Sequence, residues 1–198
     1  MTQQPVHCAV TFILGPPGAG KTTIGRAVAA RLRVPFHSID EWVNQVYPPE
    51  THTLPMTDAQ VDEALSLLLR NVRHDGGLYE FAHHDYVDLL RRNAYDEFTA
   101  ARKVVVVASL SVCHARNEVR RSPVRRAYVE RSWRTTHALM DLCASGSLSN
   151  TLVVDTSLTA VDAAVATVLD FVMFGRCNRD ESESAVRLGP ACDRHGAR

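Results

Sequence analysis

One short motif near the start of the chain carries the clearest chemistry. Residues 15–22 read GPPGAGKT and match the pattern G-x-x-x-x-G-K-[ST]. In such a loop the glycines let the backbone curl so that successive N–H groups face a phosphate group. Lys21 would bridge the β- and γ-phosphates of a nucleoside triphosphate, and the Thr22 hydroxyl would ligate Mg²⁺. The candidate nucleotide contacts are Gly15, Gly18, Ala19, Gly20, Lys21, Thr22 and Thr23.

The segments on either side of this motif have the patterns that a phosphate-binding loop requires. Residues 6–14 form an apolar, β-rich run that indicates a buried strand. Residues 21–33 place Ile24, Val28 and Leu32 at helical spacing. A chance glycine turn is the alternative. The position between a strand and a helix, in a chain with only two lysines, argues against chance.

The rest of the chain alternates short apolar runs with amphipathic stretches. The predicted strands are 36–39, 78–82, 104–110 and 152–154, and the predicted helices are 58–73, a stretch through 89–90, 113–143 and one from about 159. Strands that alternate with helices indicate a parallel sheet covered on both faces. We expect one domain over residues 1–175. Residues 176–198 have no apolar face, so we expect a disordered tail.

Composition narrows the class of protein. A chain of 198 residues that is 45% hydrophobic fits one globular core. Its 22 basic and 22 acidic residues give no net charge, which argues against a protein that coats nucleic acid or anionic membrane. No apolar run approaches the roughly 20 residues of a membrane-spanning helix, and no signal peptide is expected. Five scattered cysteines without a C-x-x-C pair favour a reduced, cytoplasmic protein.

The phosphate loop in its strand–helix context, with the weaker features below, resembles the P-loop kinases of the nucleoside monophosphate kinase and shikimate kinase type. The resemblance covers about residues 6–174. It implies an α/β P-loop NTPase fold, a three-layer sandwich with a five-stranded parallel sheet in the order 2-3-1-4-5 and an arginine-rich helical lid. It also implies ATP as phosphoryl donor, Mg²⁺ as cofactor and a hydroxyl group as acceptor.

The resemblance assigns a role to the aspartate after the second predicted strand. In such kinases this residue often handles the acceptor hydroxyl, and Asp40 holds the place in the sequence SIDEW. Asp40 would orient the hydroxyl as general base and accept its proton late in a loose transition state. The alternative is that Asp40 caps a helix over residues 41–46. The two roles are compatible.

A second carboxylate is expected at the end of the third predicted strand. Relatives carry an acid there that holds the water shell of Mg²⁺, and Glu80 is the candidate. Contact with the acceptor is an equally good interpretation of Glu80. Acidic residues gather on this side of the predicted site, which suits a polyol or amino sugar better than a nucleoside monophosphate. Arginines of neighbouring predicted helices would instead suit such a phosphate; they are Arg70, Arg73, Arg91 and Arg92.

The residues after this strand are candidate acceptor contacts. The sequence AHHDY over residues 82–86 follows at the carboxyl edge of the sheet, where such folds bind ligands. His83, His84 and Asp85 are therefore candidates. A zinc site is disfavoured because adjacent side chains point in different directions. Asp85 is alternatively the N-cap of the next helix.

Residues 113–134, named here the lid segment, concentrate positive charge. They contain seven arginines and two glutamates. The sequence RNEVR over residues 116–120 resembles the R-N-x-x-R start of the mobile lid of these kinases and of polynucleotide-kinase-like and seryl-tRNA-kinase-like relatives. The resemblance implies that Arg116 and Arg120 contact nucleotide phosphate, with Arg125 and Arg126 as weaker candidates. A solvated basic helix is the alternative for arginines after Arg120.

A third candidate nucleotide contact follows the fifth predicted strand. Relatives wrap a loop around the adenine base at this place, which here reads Asp155-Thr156-Ser157. The resemblance thus implies a contact from Asp155. A turn that caps the last helix is the alternative interpretation.

These features together predict an ATP- and Mg²⁺-dependent kinase that phosphorylates a hydroxyl of a small molecule. Lys21, Asp40 and Arg120 are the predicted catalytic residues. The acceptor stays open among sugars, polyols, nucleosides and secondary metabolites or antibiotics. The alternatives are a kinase of polynucleotide or tRNA-linked 5′-hydroxyls, a nucleoside monophosphate kinase and a non-catalytic nucleotide switch. Nucleic acid is not the expected partner, and the sequence leaves the oligomeric state open.

Overall fold

Strands and helices alternate along the chain. The computed structural model describes residues 10–47, 59–60, 63, 66–68, 76–81, 100–120, 123–146 and 148–175, with the backbone alone for Asp40 and Val43. The strands are β1 Thr11–Leu14, β2 Phe36–Ser38, β3 Leu78–Phe81, β4 Arg102–Val107 and β5 Thr151–Asp155. The helices are α1 Lys21–Leu32, α2 Ile39–Val46, α3 Leu110–Glu118, α4 Arg126–Ala144 and α5 Val161–Phe174. Residues 59, 60, 63 and 66–68 are also helical, within the helix predicted over 58–73.

The five strands form one parallel sheet in the order β2-β3-β1-β4-β5. Its central strand is β1, where Ile13 pairs with Glu80 of β3 on one side and with Val104 of β4 on the other. In a parallel sheet the carboxyl ends of all strands lie at one edge, and the following loops gather there. The predicted fold class and strand order are confirmed.

Helices cover both faces of the sheet because alternate residues of each strand point to opposite sides. On one face, Phe12 of β1 belongs to a buried cluster with Leu139 of α4. On the other face, Ile13 packs in a cluster with Val28 of α1 and Val168 of α5. Burial of each such side chain stabilises the fold by about 1.5–3 kcal/mol. The two clusters hold the sheet, and with it the loops at its carboxyl edge.

Two predicted boundaries are wrong. The fourth strand ends at Val107, not at Leu110, because Ser109 caps α3 by accepting a hydrogen bond from the Val112 N–H at 3.3 Å. The single helix predicted over 113–143 is two helices, α3 and α4. The break between them contains Pro123, which has no N–H to continue a helix. The apolar run alone hid the first boundary, because Leu110 suits a strand and a helix alike.

The helix after β2 begins two residues earlier than the capping interpretation of Asp40 requires. Since α2 starts at Ile39, Asp40 lies inside its first turn and not at the residue that precedes the helix. The interpretation of Asp40 as N-cap is therefore wrong.

Several predictions fall on residues outside the described ranges. These are the strand residues 6–9, residue 82, the helix through 89–90 and the tail 176–198. They stay predictions, and so does the domain boundary at residue 175. In the part of the chain that is described, no helix is long and apolar enough to cross a membrane.

Candidate active site

The loop between β1 and α1 has a backbone that only glycine permits at two points. A Cβ on Gly15 would lie 2.1 Å from the Val106 carbonyl oxygen. A Cβ on Gly18 would lie 2.5 Å from the Cys113 carbonyl oxygen, and its φ of 82° is left-handed. Gly20 is the N-cap of α1, so the free N–H groups of that helix point towards the loop. The loop thus has the form of an anion site at a helix N-terminus.

Lys21 lies inside this loop and is only 4% exposed. Its ammonium group donates a hydrogen bond to the Pro16 carbonyl at 2.9 Å. The same nitrogen lies 3.8 Å from Oε1 of Glu80. The structure therefore holds the lysine charge between the loop backbone and the end of β3. Its contact with phosphates stays a prediction.

Thr22 and Glu80 form the most direct contact between the loop and the rest of the sheet edge. The Thr22 hydroxyl lies 2.8 Å from Oε1 and 2.9 Å from Oε2 of Glu80, which is 6% exposed. Mg²⁺ is bound by carboxylate and other oxygen ligands. A hydroxyl and a carboxylate side by side at a phosphate loop therefore fit Mg²⁺ chemistry. The structure brings together the two residues predicted to serve the metal.

Asp40 lies at the same edge of the sheet. It follows β2 by two residues, and Ser38, the last residue of β2, pairs with Glu80 in the register of β2 and β3. The carboxyl ends of β2 and β3 are thus neighbours at the edge of the sheet that carries the phosphate loop. The backbone position of Asp40 agrees with a place on the acceptor side of a phosphate site. The other predicted acceptor contacts, His83, His84 and Asp85, lie outside the described residues, as do Arg70, Arg73, Arg91 and Arg92.

Arg116 is anchored beside the phosphate loop by one residue of the loop after β5. Its Nη1 donates to the Thr156 hydroxyl at 2.9 Å, and its Nη2 donates to the Thr156 carbonyl at 3.0 Å. Nη1 also lies 3.4 Å from the Gly18 carbonyl oxygen. Two contacts to one residue hold the guanidinium plane in a defined orientation. Arg116 therefore lies against the phosphate loop, and its contact with nucleotide phosphate stays a prediction.

Arg120 has a different environment. Its backbone N–H donates to the Asn117 carbonyl at 3.2 Å, but its side chain is exposed and has no hydrogen bond or ion pair to the described residues. Arg125 and Arg126 are exposed as well, and Arg126 makes an ion pair at 3.4 Å with Glu130 of the same helix. Of the predicted lid arginines, the structure places Arg116 alone, within its described part, directly against the loop.

Asn117 holds the base of the connection between α3 and α4. It is 4% exposed, and its side-chain amide donates to the Val124 carbonyl at 2.9 Å. Its amide oxygen accepts from the Val124 N–H at 3.1 Å. This pair of hydrogen bonds ties the end of α3 to Val124, two residues before α4 begins. The R-N-x-x-R pattern contained this signal, although the sequence analysis assigned Asn117 no role.

Asp155 organises the turn after β5. Its Oδ1 accepts a hydrogen bond from the Ser157 N–H at 2.7 Å. The Ser157 hydroxyl in turn accepts from the Ser109 N–H at 2.6 Å, which ties this turn to the start of α3. Asp155 therefore forms a turn, as the alternative interpretation predicts, but this turn does not cap the last helix, whose N-cap is Ala160. The role of Asp155 as a nucleotide contact stays a prediction.

A cysteine packs beneath the loop but is not a reactive group. Cys113 is fully buried, and burial raises the pKa of its thiol, while the charges of Lys21 and Arg116 oppose that shift. The thiol form is inert as a nucleophile. Cys113 therefore serves packing against Gly18. Among the residues that are described, no group of three or more His, Cys, Asp and Glu side chains forms a candidate metal cluster.

One segment of the chain is similar in sequence to shikimate kinases. The shikimate kinase family model matches residues 17–52. A shikimate kinase of Saccharopolyspora erythraea is 56% identical over 39 residues, which are 20% of this chain and 21% of that protein. A shikimate kinase of Legionella pneumophila is 50% identical over 34 residues, 17% of this chain and 19% of that protein. The chain thus aligns with about a fifth of the length of these curated relatives.

Solved structures with the same fold cover most of the chain. A shikimate kinase from Acinetobacter baumannii in complex with shikimate has a TM-score of 0.57 at 15% identity, over 85% of this chain and 94% of that one. A gluconokinase from Sinorhizobium meliloti has a TM-score of 0.56 at 20% identity, over 86% and 99%. A deoxyadenosine kinase from M. mycoides with bound dATP has a TM-score of 0.59 at 14% identity, over 82% and 98%.

The fold and the phosphate loop together define the class: the chain has the fold of the P-loop kinases. The predicted resemblance to such kinases is confirmed. Within that class, the segment similar to shikimate kinases contains most of the phosphate loop, all of α1 and β2, and Asp40.

Proposed function

We propose that this protein is an ATP- and Mg²⁺-dependent kinase that transfers the γ-phosphoryl group to a hydroxyl of a small molecule. The observation that carries the proposal is the convergence of Lys21, Thr22 and Glu80 at the carboxyl edge of the central strands. Phosphoryl transfer requires little covalent chemistry from a protein and depends on positioning and on charge stabilisation. These three side chains supply a cation and two oxygen ligands where the phosphates would lie.

The donor phosphates would bind to the loop amides and the N-terminus of α1. In the free protein the Lys21 ammonium donates to the Pro16 carbonyl, and this contact is replaced or shared when the phosphates enter. The cation then stabilises negative charge on the β- and γ-phosphates. Because Lys21 is 4% exposed, little water screens that interaction.

Thr22 and Glu80 are the residues that would hold Mg²⁺. The bound ion would neutralise charge on the phosphate oxygens of the donor. The hydroxyl of Thr22 and the carboxylate of Glu80 already lie within hydrogen-bond distance of each other, so both are in place without a large rearrangement. We assign Glu80 to the metal rather than to the acceptor for this reason.

Asp40 is the proposed general base. It follows β2 at the edge where Ser38 and Glu80 are register partners, and it belongs to the segment that matches the shikimate kinase family model. Its carboxylate would accept the proton of the acceptor hydroxyl and orient that group in line with the γ-phosphate. His83, His84 and Asp85 are the proposed neighbours of the acceptor.

The names of the proteins compared above support a small-molecule acceptor. They are a shikimate kinase, a gluconokinase and a deoxyadenosine kinase. The acceptor that each name indicates is a small molecule with a free hydroxyl. We propose an acceptor of this kind, a sugar, polyol, nucleoside or secondary metabolite. Arg116 would contact the donor phosphates from its place beside the loop. Arg120 of the lid segment would close over the donor and exclude water, which protects ATP from hydrolysis.

The proposal is tested by ADP release from the purified protein with ATP and Mg²⁺. The acceptor pools would contain hydroxy acids and polyols, amino sugars, nucleosides, nucleoside monophosphates or 5′-hydroxyl oligonucleotides. Stimulation by a small-molecule hydroxyl pool, lost in Lys21→Ala, supports the proposal. Stimulation by monophosphates or oligonucleotides alone would replace it with the corresponding alternative. Tight ATP binding without stimulation by any pool, together with hydrolysis that only a partner protein accelerates, would favour a nucleotide switch.

A further inference from the structure

The Thr156 hydroxyl contacts three groups that belong to different parts of the site. Thr156 follows β5 directly and is 8% exposed. Its hydroxyl lies 2.7 Å from the Ala19 carbonyl oxygen of the phosphate loop and 3.2 Å from the Val107 carbonyl oxygen at the end of β4. The same hydroxyl accepts a hydrogen bond from Arg116. No role for this side chain follows from the phosphate-loop motif, which lies more than a hundred residues earlier in the chain.

The directions of these hydrogen bonds follow from the chemistry of a hydroxyl group. A threonine hydroxyl has one proton to donate and lone pairs to accept. The shorter distance assigns the proton to the Ala19 carbonyl, and a lone pair accepts from Nη1 of Arg116 at 2.9 Å. The Thr156 carbonyl accepts from Nη2 of Arg116 at 3.0 Å. Thr156 therefore accepts hydrogen bonds from both terminal nitrogens of the guanidinium. Its hydroxyl also donates to the phosphate loop.

The backbone of Thr156 is itself fixed to the sheet. Its N–H donates to the Val107 carbonyl at 2.9 Å. The position of the hydroxyl is thus set by the backbone of β4 and β5. Arg116, in contrast, extends from a nine-residue helix and is exposed. Without the two-point contact, its long side chain would sample many rotamers, and nucleotide binding would have to restrict them.

We infer that Thr156 is a positioning residue for the phosphoryl donor, which sets Arg116 in a fixed place relative to the phosphate loop. This inference rests on the proposed function. The guanidinium has more N–H groups than its contacts to Thr156 use, and the remaining ones are available to the donor. Thr156 touches neither donor nor acceptor in this account. Thr156 would raise nucleotide affinity by orienting the guanidinium of Arg116 in advance. Nucleotide binding then does not have to order the arginine side chain.

The test compares two substitutions at the same position. Thr156→Val keeps the shape and removes the hydroxyl, whereas Thr156→Ser keeps the hydroxyl. Thr167→Val is the matched control, because that hydroxyl bonds, among the described residues, only within α5, to the Ala163 carbonyl at 3.0 Å. Calorimetry with ADP and with a non-hydrolysable ATP analogue measures nucleotide affinity without any acceptor. Thermal unfolding of each variant measures the structural effect separately.

We expect Thr156→Val to weaken nucleotide binding about tenfold or more, and Thr156→Ser and Thr167→Val to stay within about threefold of the wild type. In a double-mutant cycle the losses from Thr156→Val and Arg116→Ala should not add, because the threonine acts through the arginine. Wild-type affinity in Thr156→Val, or additive losses in the cycle, would overturn the inference even if the variant unfolds at a lower temperature.

Two further outcomes separate this inference from the proposed function. If Thr156→Val does not fold, Arg116→Lys is measured instead, because lysine keeps the charge but cannot make the two-point contact. That variant should show the same loss of affinity, and unchanged affinity would overturn the inference. A wild-type protein that binds no nucleotide at all would overturn the proposed function and this inference together. Wild-type binding with unaffected variants would overturn the inference alone.

Discussion

The hydroxyl of Thr22 is nearly equidistant from the two carboxylate oxygens of Glu80, at 2.8 and 2.9 Å, although the residues are 58 positions apart in the chain. Parallel pairing of β1 with β3 brings them together, because Ile13 near the end of β1 is the register partner of Glu80. The phosphate-loop motif and the acid at the end of β3, which are separate features of the sequence, therefore contact each other in the fold. This contact is the centre of the proposed Mg²⁺ site.

Replacing Glu80 with glutamine should shift the Mg²⁺ dependence of turnover. We expect about tenfold more Mg²⁺ for half-maximal activity and a fall of about a hundredfold in kcat, because an amide is a weaker ligand than a carboxylate. A titration of activity with MgCl₂ at saturating ATP and acceptor measures both. The control is Asp170→Asn, an exposed acid on α5. If Glu80→Gln raises only the KM of the acceptor and leaves the Mg²⁺ titration unchanged, Glu80 serves the acceptor instead.

Removing the Lys21 ammonium should abolish turnover while the fold persists. Lys21→Ala loses the cation that we place on the β- and γ-phosphates, and we expect activity to fall by about a thousandfold or more. Lys21→Met is the companion variant, since it fills the buried space that alanine leaves empty. Activity and circular dichroism are measured on both. A methionine variant with substantial turnover would exclude a role for this charge in transfer.

Asp40→Asn should separate nucleotide binding from phosphoryl transfer. The amide preserves shape but cannot accept the proton of the acceptor hydroxyl, so we expect ATP affinity to stay within about twofold and turnover to fall by a hundredfold or more. Calorimetry gives the affinity, and ADP release in the presence of acceptor gives the turnover. Near-normal turnover in this variant would show that Asp40 is not the general base.

Asn117→Ala should loosen the connection between α3 and α4. It removes both hydrogen bonds to Val124, at 2.9 and 3.1 Å, and leaves that backbone unpaired. At about 1 kcal/mol for each bond, the free energy of unfolding should fall by about 2 kcal/mol. Hydrogen exchange should become faster over residues 118–125, and denaturant unfolding gives the stability. Unchanged exchange there would mean that the side chain does not hold the loop closed.

Lys103 should make stability depend on pH in the alkaline range. It is fully buried, and burial lowers its pKa from 10.5 to about 8, while the nearby Cys143 opposes the shift. Between these values the unfolded chain binds a proton that the folded protein does not, so stability rises with pH across this window. The shift corresponds to about 3 kcal/mol. Below about pH 8 the buried charge opposes folding at its full strength.

Comparison of the wild type with Lys103→Met isolates this contribution. The free energy of unfolding of the variant should exceed that of the wild type most near pH 7. This difference should shrink as the pH approaches about 10. Urea unfolding at several pH values measures the difference. A difference that stays constant across this range would contradict the lowered pKa of Lys103.

The alternation of strands with helices and the phosphate-loop motif could be predicted because both depend on local patterns, whereas the sheet order came from the resemblance to P-loop kinases. The glycines of the loop, the helical spacing after it and the alternation of strands with helices are each readable over a few residues. Glu80 was predicted for its place at a strand end, and the structure added its contact with Thr22. The role of Glu80 could not be chosen from sequence, because that choice depends on the register between β1 and β3.

Other parts of the site depend on contacts between distant segments. Thr156 and Arg116 are 40 residues apart, and nothing in the sequence Asp155-Thr156-Ser157 indicates the partner of the threonine. The break between α3 and α4 did have a local signal in Pro123, which the arginine pattern obscured. Similarly, Ser109 signalled the start of α3, but the apolar run before and after it favoured a longer strand.

The most direct test of the proposed function follows the phosphoryl group itself. The protein is incubated with Mg²⁺, ATP labelled at the γ-phosphate and the small-molecule hydroxyl pools, and the products are separated to locate the label. We predict that the label appears on a hydroxyl compound in the wild type and not in Lys21→Ala. Label that passes only to water, or only to nucleic acid or a nucleoside monophosphate, would contradict a kinase for small-molecule hydroxyls.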